Sequence, residues 1–356
     1  MVYFGLANML FLLRYALNNV GGRGRREVYY VVLLSLFLFS AFRFQVGCDW
    51  SGYYYQYLGA TDIDWQLITA REPAWWALLG SIKALGFPYP VANIASSAIF
   101  FIGIHVLARR QLDPLGFLVL LFPILIINMP MSGIRQGAAI GLICIAFTAF
   151  IDRRRNWFAI WVFVAAGFHS SALVFLLLFP LATGRYTKSR LSMAVVLAIP
   201  GVALLAGGES AEIATSRYIG SGAEAFGAVF RVGILGLSAL YFFWFVRKKW
   251  MPNFSYDYSL VSIGAIGMML TFLLLPVSTI IADRFGYYFI PIQTMIFARL
   301  PYLPFKFNPS LHTSLPYLGL LVVFFVWTQI SGHFNQCYIP YQSWIFGFPG
   351  GDLLDS

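Results

Sequence analysis

Long apolar runs recur from one end of the chain to the other, separated by short polar segments. A helix that crosses a bilayer needs about 20 mostly apolar residues, so the pattern predicts many membrane-crossing helices. The first run lacks a basic start and a small-residue cleavage site, and we expect a retained span rather than a signal peptide. We predict spans near residues 2–17, 28–44, 90–108, 113–129, 133–151, 190–206, 228–246, 258–280, 285–300 and 311–330.

Two segments depart from this pattern. Residues 157–182 must leave one side of the membrane and return to it within a short length, which predicts two short helices that meet near residues 167–169. Residues 74–87 would break the alternation of sides if they crossed, so we expect them to lie in the interface or to re-enter. With these segments, the chain is predicted to have about 10–13 membrane segments, some of them short or re-entrant.

Composition places almost the whole chain in lipid. Of its 356 residues, 60% are hydrophobic and 11% are charged, and the mean hydropathy is +0.75. Soluble globular chains carry about 25% charged residues. No segment between the predicted spans is long enough for a separate soluble domain. We therefore predict an all-α polytopic membrane protein in which residues 1–356 form one domain.

The net charge of +10 is carried mainly by short basic clusters between spans. Because cytoplasmic loops are enriched in Lys and Arg, these clusters indicate topology and no nucleic-acid partner. Placing them in the cytoplasm leaves loops 43–73 and 207–227 and the tail 331–356 on the far side of the bilayer, with most of the 14 acidic residues. The clusters are Arg23, Arg25 and Arg26; Arg109 and Arg110; Arg153 to Arg155; Arg185, Lys188 and Arg190; and Arg247 to Lys249.

Three polar residues lie where apolar sequence makes them costly. Arg135 and Gln136 open an apolar helix, and His169 lies inside a long stretch with no other ionisable group. A charge near the bilayer centre costs roughly 2.5 kcal/mol or more, so such residues usually face a cavity or a pathway. An arginine at a helix start favours a phosphate-like anion. The alternatives are a structural arginine bound to a carbonyl group and a core histidine.

The predicted far-side loop 43–73 combines charges with aromatic rings. Arg43 and Asp49 lie in its first part, and Glu72 precedes a proline at a helix start. The loop could be an interfacial aromatic belt that ends in a helix-start carboxylate. Alternatively, its rings stack on sugars and a carboxylate acts as a general base. Its tyrosines are Tyr53, Tyr54, Tyr55 and Tyr57.

The sequence carries no recognisable metal-binding motif. The four histidines are scattered, and the usual metal, nucleotide and hydrolase motifs do not occur. We predict no cofactor and no metal. Cys144 is expected to be a packing residue. Cys48 and Cys337 both fall on the predicted far side, where they form either a disulfide or two unrelated thiols.

Arg284 adds a cation at the start of a span, although the adjacent Asp283 could simply neutralise it. Arginines and a histidine near carboxylates indicate transfer of a sugar from a lipid diphosphate to an acceptor. Glu72, or as second choice Asp49, would activate the attacking hydroxyl group, with Arg135 and His169 completing the catalytic set. The cations would stabilise the charge that develops on the diphosphate leaving group. The diphosphate ligands would be Arg43, Arg135, Gln136, His169 and Arg284.

At these residues the chain resembles the EpsG family of bacterial membrane polysaccharide polymerases, which are functionally Wzy-type. Each motif is short, but their order covers most of the chain. Cys48 departs from the family, which more often has a small hydroxyl residue there, so a Cys48–Cys337 pair would be specific to this protein. The motifs are Arg43; Gly47–Asp49 followed by Tyr53–Tyr57; Glu72–Pro73; Arg135–Gln136; His169 with Ser171 and Ala172; Arg284 with Tyr287; and Tyr338–Tyr341.

The resemblance implies a glycosyltransferase C-like helical bundle. It also implies a polymerase that passes a growing glycan from undecaprenyl diphosphate to a lipid-linked repeat unit at the outer face of the bacterial inner membrane. A flippase and a chain-length regulator of the same pathway would be its partners. Residues expected to help bind the glycan are Tyr53, Tyr54, Tyr57, Tyr338, Tyr341 and Arg217.

Two other functions would use similar residues. An O-antigen ligase-like transferase would move a finished glycan to another lipid or protein, but no large far-side loop is predicted. A transporter of lipid-linked oligosaccharides would place Arg and His along a translocation path. The two halves of the sequence carry no convincing repeat, and the polar residues collect on one predicted face, which disfavours a transporter.

Overall fold

The computed structural model describes residues 2–17, 22–60, 72–184, 187–190, 192–194, 196, 222–276, 278–305, 308–345 and 347. Over this part of the chain the protein is an all-α bundle. Its α-helices are α1 (Val2–Ala16), α2 (Gly22–Ala41), α3 (Trp50–Gly59), α4 (Pro73–Ala84), α5 (Pro90–Ala108), α6 (Pro114–Leu121), α7 (Ile134–Ile151), α8 (Arg155–Phe168), α9 (Gly222–Tyr241), α10 (Tyr258–Leu274), α11 (Thr279–Arg299), α12 (Pro309–Ile330) and α13 (Gly332–Tyr338). A π turn (Phe122–Ile126) extends α6, and a π turn (Phe242–Val246) followed by a helix (Arg247–Asn253) extends α9.

Four described helices are long and apolar enough to cross a membrane: Pro90–Ala108, Ile134–Ile151, Gly227–Asn253 and Ser310–Ile330. Each coincides with a predicted span. Shorter apolar helices accompany them, including α1 and α10. The predicted polytopic helical class is therefore confirmed, although the predicted span 190–206 lies mostly outside the described residues.

Helix α7 forms the centre of the bundle. In the apolar 18-residue stretch of α7, 83% is buried inside the bundle. In the corresponding stretch of α12 only 28% is buried, so α12 lies at the periphery. Gly103 on α5 and Gly141 on α7 bring the two backbones together, since a Cβ atom on Gly103 would collide with the Gly141 carbonyl group. Small residues allow such close approach in membrane bundles. Cys144 is a free, buried packing residue on α7.

The predicted pair of short helices is confirmed. Helix α8 ends at Phe168, His169 is extended with φ −151° and ψ 116°, and a 3-10 helix (Ser170–Leu181) follows. Helix α4 has 12 residues and a length of about 18 Å, too short for a hydrocarbon layer of about 30 Å. It packs against α8 and α5.

Two predicted boundaries were wrong. Residues 281–284 were expected in a loop, but α11 already begins at Thr279 because the Ser278 hydroxyl accepts a hydrogen bond from the Ile281 N–H at 3.3 Å. Such a cap satisfies a donor of the first helical turn. Loop 43–73 contains helix α3, which starts directly after Asp49. Arg284 and Asp49 are therefore placed by helices rather than by open loops.

The segment after α12 packs onto the loop that follows α2. The Gly47 N–H donates to the Cys337 carbonyl oxygen at 2.7 Å, and the Phe44 N–H donates to that of Gln342 at 3.0 Å. A disulfide joins Cys48 to Cys337, with their Cα atoms 4.8 Å apart. The segment that follows α12 therefore packs on the bundle up to residue 345 and does not form a free tail there.

Candidate functional site

A polar cavity of about 620 Å³ lies where α7 and α11 begin and α12 ends. Its wall also includes the start of α3, part of α9 and the break at His169. Its wall carries three arginines and two aspartates, and one of each, Arg231 and Asp283, form an ion pair. The acidic and basic residues that line it are Asp49, Arg135, His169, Arg231, Asp283, Arg284 and His333.

Glu72 lies behind this wall and organises it. Its carboxylate forms an ion pair with the Arg135 guanidinium through Oε2. Its Oε1 atom lies 2.6 Å from His169 Nδ1 and accepts the Ser170 N–H at 3.2 Å. Glu72 is only 7% exposed and is not among the residues that line the cavity. Both carboxylate oxygens have partners, so Glu72 positions Arg135 and His169. A base must reach the substrate hydroxyl group, and Glu72 does not line the cavity where that group would lie.

The environment of Glu72 keeps its carboxyl group ionised. Burial by itself would raise the pKa of Glu72, but the hydrogen bond from His169 and the charge of Arg135 bring the pKa below its ordinary value. An ionised carboxylate only accepts hydrogen bonds. His169 Nδ1 is therefore the donor, and in the neutral ring Nε2 carries the lone pair.

The backbone of Glu72 is unusual for this residue type. Its φ of +69° lies in the left-handed region. For a residue with a Cβ atom this costs on the order of 1 kcal/mol and persists only where surrounding contacts enforce it. The contacts of the carboxylate supply that constraint, and Pro73 immediately opens α4.

Arg135 is placed by the first turn of α7. Its guanidinium lies over the Tyr53 ring, 5.5 Å from the ring centroid. Its Nε atom is buried and has no hydrogen-bond partner among the described residues. Burial raises the pKa of Tyr53, and the Arg135 charge opposes this shift. Tyr53 therefore supports the cation as a neutral ring.

Gln136 links α7 to α11. Its Nε2 atom donates to the Arg284 carbonyl oxygen at 2.6 Å. The exposed Arg284 side chain lines the cavity, and no ion pair engages it within the described part of the chain. The expectation that Asp283 neutralises Arg284 was wrong, because Asp283 pairs with Arg231 on α9 instead.

The Arg231–Asp283 pair is bidentate. Arg231 Nε lies 2.9 Å from Asp283 Oδ1, and Nη2 lies 2.7 Å from Oδ2. The guanidinium also lies 5.5 Å from the centroid of the Tyr287 ring. Sequence reasoning missed Arg231, although it interrupts an apolar run just as Arg135 does. The same cost argument would have found it.

Arg43 does not reach the cavity. It is fully buried, and its guanidinium donates to the carbonyl oxygens of Val46 and Ser40 at 3.0 and 2.7 Å and to Asn93 Oδ1 at 3.0 Å. Its donors hold the loop after α2, so its assignment to diphosphate is corrected to a structural role.

Asp49 lies at the cavity with a carboxylate that does not cap α3, whose residues are all described. It is exposed, and no ion pair engages it among the residues that the structure covers. The preceding Gly47 has φ +101°, and a Cβ atom there would collide with the Met131 carbonyl group. Glycine therefore lets this loop lie against the turn before α7.

The predicted glycan-binding tyrosines separate into two groups. Tyr53 and Tyr338 line the cavity. Tyr54 stacks on Trp50, Tyr57 donates to the Phe87 carbonyl oxygen at 2.7 Å, and Tyr341 donates to that of Phe39 at 2.9 Å. These three lie outside the cavity wall because they fill the surrounding packing, and Arg217 lies outside the described residues. Further lining residues that the sequence did not single out are Arg231, Trp327 and His333, whereas Tyr287 entered only as part of a motif.

The fold and the cavity define the class of protein: an all-α polytopic membrane protein with a polar, arginine-lined site built into one end of its bundle. The chain belongs to the EpsG family, whose family model matches residues 27–343. It is thus a polysaccharide polymerase-like membrane protein, and the resemblance noted from its motifs is confirmed. Neither a curated protein nor a solved structure matches the chain.

Proposed function

We propose that this protein is a polysaccharide polymerase. It transfers a growing glycan from undecaprenyl diphosphate to the sugar of a lipid-linked repeat unit. The observation that carries the proposal is the position of Glu72, which ties Arg135 and His169 together at the wall of an arginine-lined cavity. Family membership supports the same class of reaction.

The diphosphate of the donor binds to Arg135 and Arg284. Both guanidinium groups line the cavity, and a guanidinium fork matches two phosphate oxygens. As the glycosidic bond to the diphosphate breaks, negative charge grows on the leaving group. The Arg135 cation, fixed in advance by Glu72, stabilises that charge without reorganising. The protein's own cations thus supply the charge stabilisation for a metal-independent transfer.

His169 acts as the general base in this proposal. Glu72 accepts the Nδ1 hydrogen, so Nε2 is the atom that takes the proton of the attacking hydroxyl group. Glu72 is a positioning residue, and Asp49 binds hydroxyl groups of the acceptor sugar. Tyr338 supplies an aromatic ring on the Asp49 side of the cavity.

The active site faces the outer side of the bacterial inner membrane. The basic clusters between predicted spans support this orientation through the positive-inside rule. Arg110 and Asp152, in the segments that follow α5 and α7, form a bidentate pair with distances of 2.6 and 2.7 Å, which brings the ends of those helices together away from the cavity. We further propose a glycosyltransferase C-like fold, with a flippase supplying repeat units and a chain-length regulator as partner.

The test uses purified protein in nanodiscs with a lipid-diphosphate-linked repeat unit and a chelator. A ladder of longer lipid-linked glycans, with one lipid diphosphate released per new linkage, is expected. Glycan that moves only to a different class of acceptor would favour the ligase-like function. Substrate that crosses a sealed vesicle without elongation would favour transport, and either outcome would overturn the polymerase.

A further inference from the structure

A second cluster of reactive side chains lies at the rim of the cavity, apart from the Glu72 group. Cys48, Cys337 and His333 each offer one ligand atom, and these atoms lie within 4.8 Å of one another. His333 Nε2 is 3.0 Å from Cys48 Sγ. Two sulfurs and an imidazole nitrogen form a donor set that suits Zn²⁺.

The placement of the cluster follows from helix geometry. His333 and Cys337 are four residues apart on α13, so their side chains share one face of the helix. Two ligands at this spacing are a usual arrangement for zinc on a helix. Cys48 reaches the same point from the loop after α2, which the Gly47 hydrogen bond to Cys337 holds in place.

We infer that these three side chains form a zinc site when the cysteines are thiols, and that the disulfide is the oxidised state of the same site. Two thiols release two protons as Zn²⁺ binds, and His333 contributes the third ligand. Exchange with an external disulfide, which takes up the two electrons and two protons and becomes two thiols, joins the sulfurs, so metal binding and the disulfide exclude one another. The fourth position on the metal would face the cavity, since Cys48 and His333 both line it.

The site is independent of the proposed function. Neither the diphosphate ligands nor Glu72 belongs to it. A newly made chain carries thiols before any disulfide forms, so the zinc-binding state precedes the oxidised one. Bound metal would tie α13 to the loop before α3 much as the disulfide does. It would add no net charge there, because the two thiolates balance Zn²⁺.

The experiment measures Co²⁺ binding to the purified full-length protein in detergent. A water-soluble trialkylphosphine first reduces the disulfide: the phosphine takes the oxygen of one water molecule and becomes its oxide, and the two sulfurs receive the protons. The phosphine is removed under anaerobic conditions and Co²⁺ is added. Zn²⁺ is then added to displace the bound Co²⁺. We expect one Co²⁺ per reduced chain, with a thiolate-to-cobalt charge-transfer band and tetrahedral d–d bands, and no binding to the oxidised chain.

His333→Ala and Cys48→Ser should lose these bands, whereas Cys144→Ala should retain them because Cys144 is buried on α7. The reduced wild-type protein is itself the decisive sample, so a variant that fails to fold does not obscure the result. Absence of the bands in reduced wild type that elutes as a single folded species would overturn the inference. Unchanged bands in folded His333→Ala would also overturn it. Elongation activity is not needed for either measurement.

Discussion

His169 Nδ1 lies 2.6 Å from Oε1 of Glu72, a residue 97 positions earlier in the chain. This contact joins the break after α8 to the start of α4. Ser170 reinforces it, because its N–H donates to the same oxygen. The contact gives the imidazole one orientation and leaves Nε2 for the cavity, where a substrate hydroxyl group would lie.

Replacing His169 tests its role as the base. His169→Ala should lower the elongation rate by about 10²–10⁴-fold, the usual contribution of a positioned general base. His105→Ala is the matched control, because His105 contacts Tyr29 and does not line the cavity. The elongation rate is measured with substrate in excess. The fraction of protein that binds the donor is measured separately, so that a loss of catalysis is distinguished from a loss of binding. A His169→Ala enzyme that elongates at the wild-type rate would remove His169 from catalysis.

Stability should depend on the ionisation of Glu72. Its folded-state pKa is lowered, so the ionised form stabilises the fold. This contribution is complete above the unfolded-state pKa of about 4.3 and is lost as pH falls through the lower folded-state pKa. The measurement is the difference in thermal unfolding midpoint between wild type and Glu72→Gln in detergent. It should shrink as the pH falls from about 5 toward about 3; a difference that stays the same over this range would contradict the assignment.

The Arg231–Asp283 pair should behave as a coupled unit. Asp283→Ala leaves a mostly buried guanidinium without its partner and should destabilise the protein by about 3–5 kcal/mol. The double variant Arg231→Met with Asp283→Ala should recover part of this loss, with a coupling energy of about 0.5–3 kcal/mol. Unfolding of all four members of the cycle provides the measurement. Strictly additive effects would show that the pair contributes no coupling.

Replacing Gly47 by alanine should impair the protein, whereas the same replacement of Gly59 should be tolerated. A methyl group at Gly47 would meet the Met131 carbonyl group, and φ is +101°, whereas a Cβ atom on Gly59 would meet no atom of the described residues within 4 Å. Gly47→Ala should therefore lower both the unfolding midpoint and elongation, since Asp49 follows two residues later. Gly59→Ala should leave both close to wild type. Equal behaviour of the two variants would mean that the loop can adjust.

The free-energy cost of burying polar groups explains which residues of the candidate site could be predicted from the sequence. Arg135 and His169 stood out because a charge among apolar neighbours is costly, and both line the cavity. Arg43 was misassigned because it was grouped with the other far-side cations, whereas its donors are satisfied by two backbone carbonyl groups and the Asn93 side chain. Carbonyl partners depend on the path of the chain, which residue identity does not specify.

Contacts between distant segments could not be predicted. The positioning role of Glu72 depends on a partner that approaches from the break after α8, and the pairing of Asp283 depends on α9. Helix existence was predictable from apolar run length, but the start of α11 depended on a single serine cap. Tyr54 and Tyr57 were indistinguishable from Tyr53 in the sequence, because only their positions around α3 and the local packing separate them.

The central claim is that Arg135, positioned by Glu72, stabilises the diphosphate leaving group. The most direct measurement compares Arg135→Ala with Arg110→Ala, which removes a guanidinium paired with Asp152 outside the cavity. Both proteins, inserted and folded in nanodiscs, receive the lipid-linked repeat unit, and a single round of linkage formation is timed by the lipid diphosphate that it releases. We predict that Arg135→Ala is slower by about 10²–10³-fold, as for loss of one donor to a developing charge, with Arg110→Ala near wild type. Equal rates for the two variants would contradict the account.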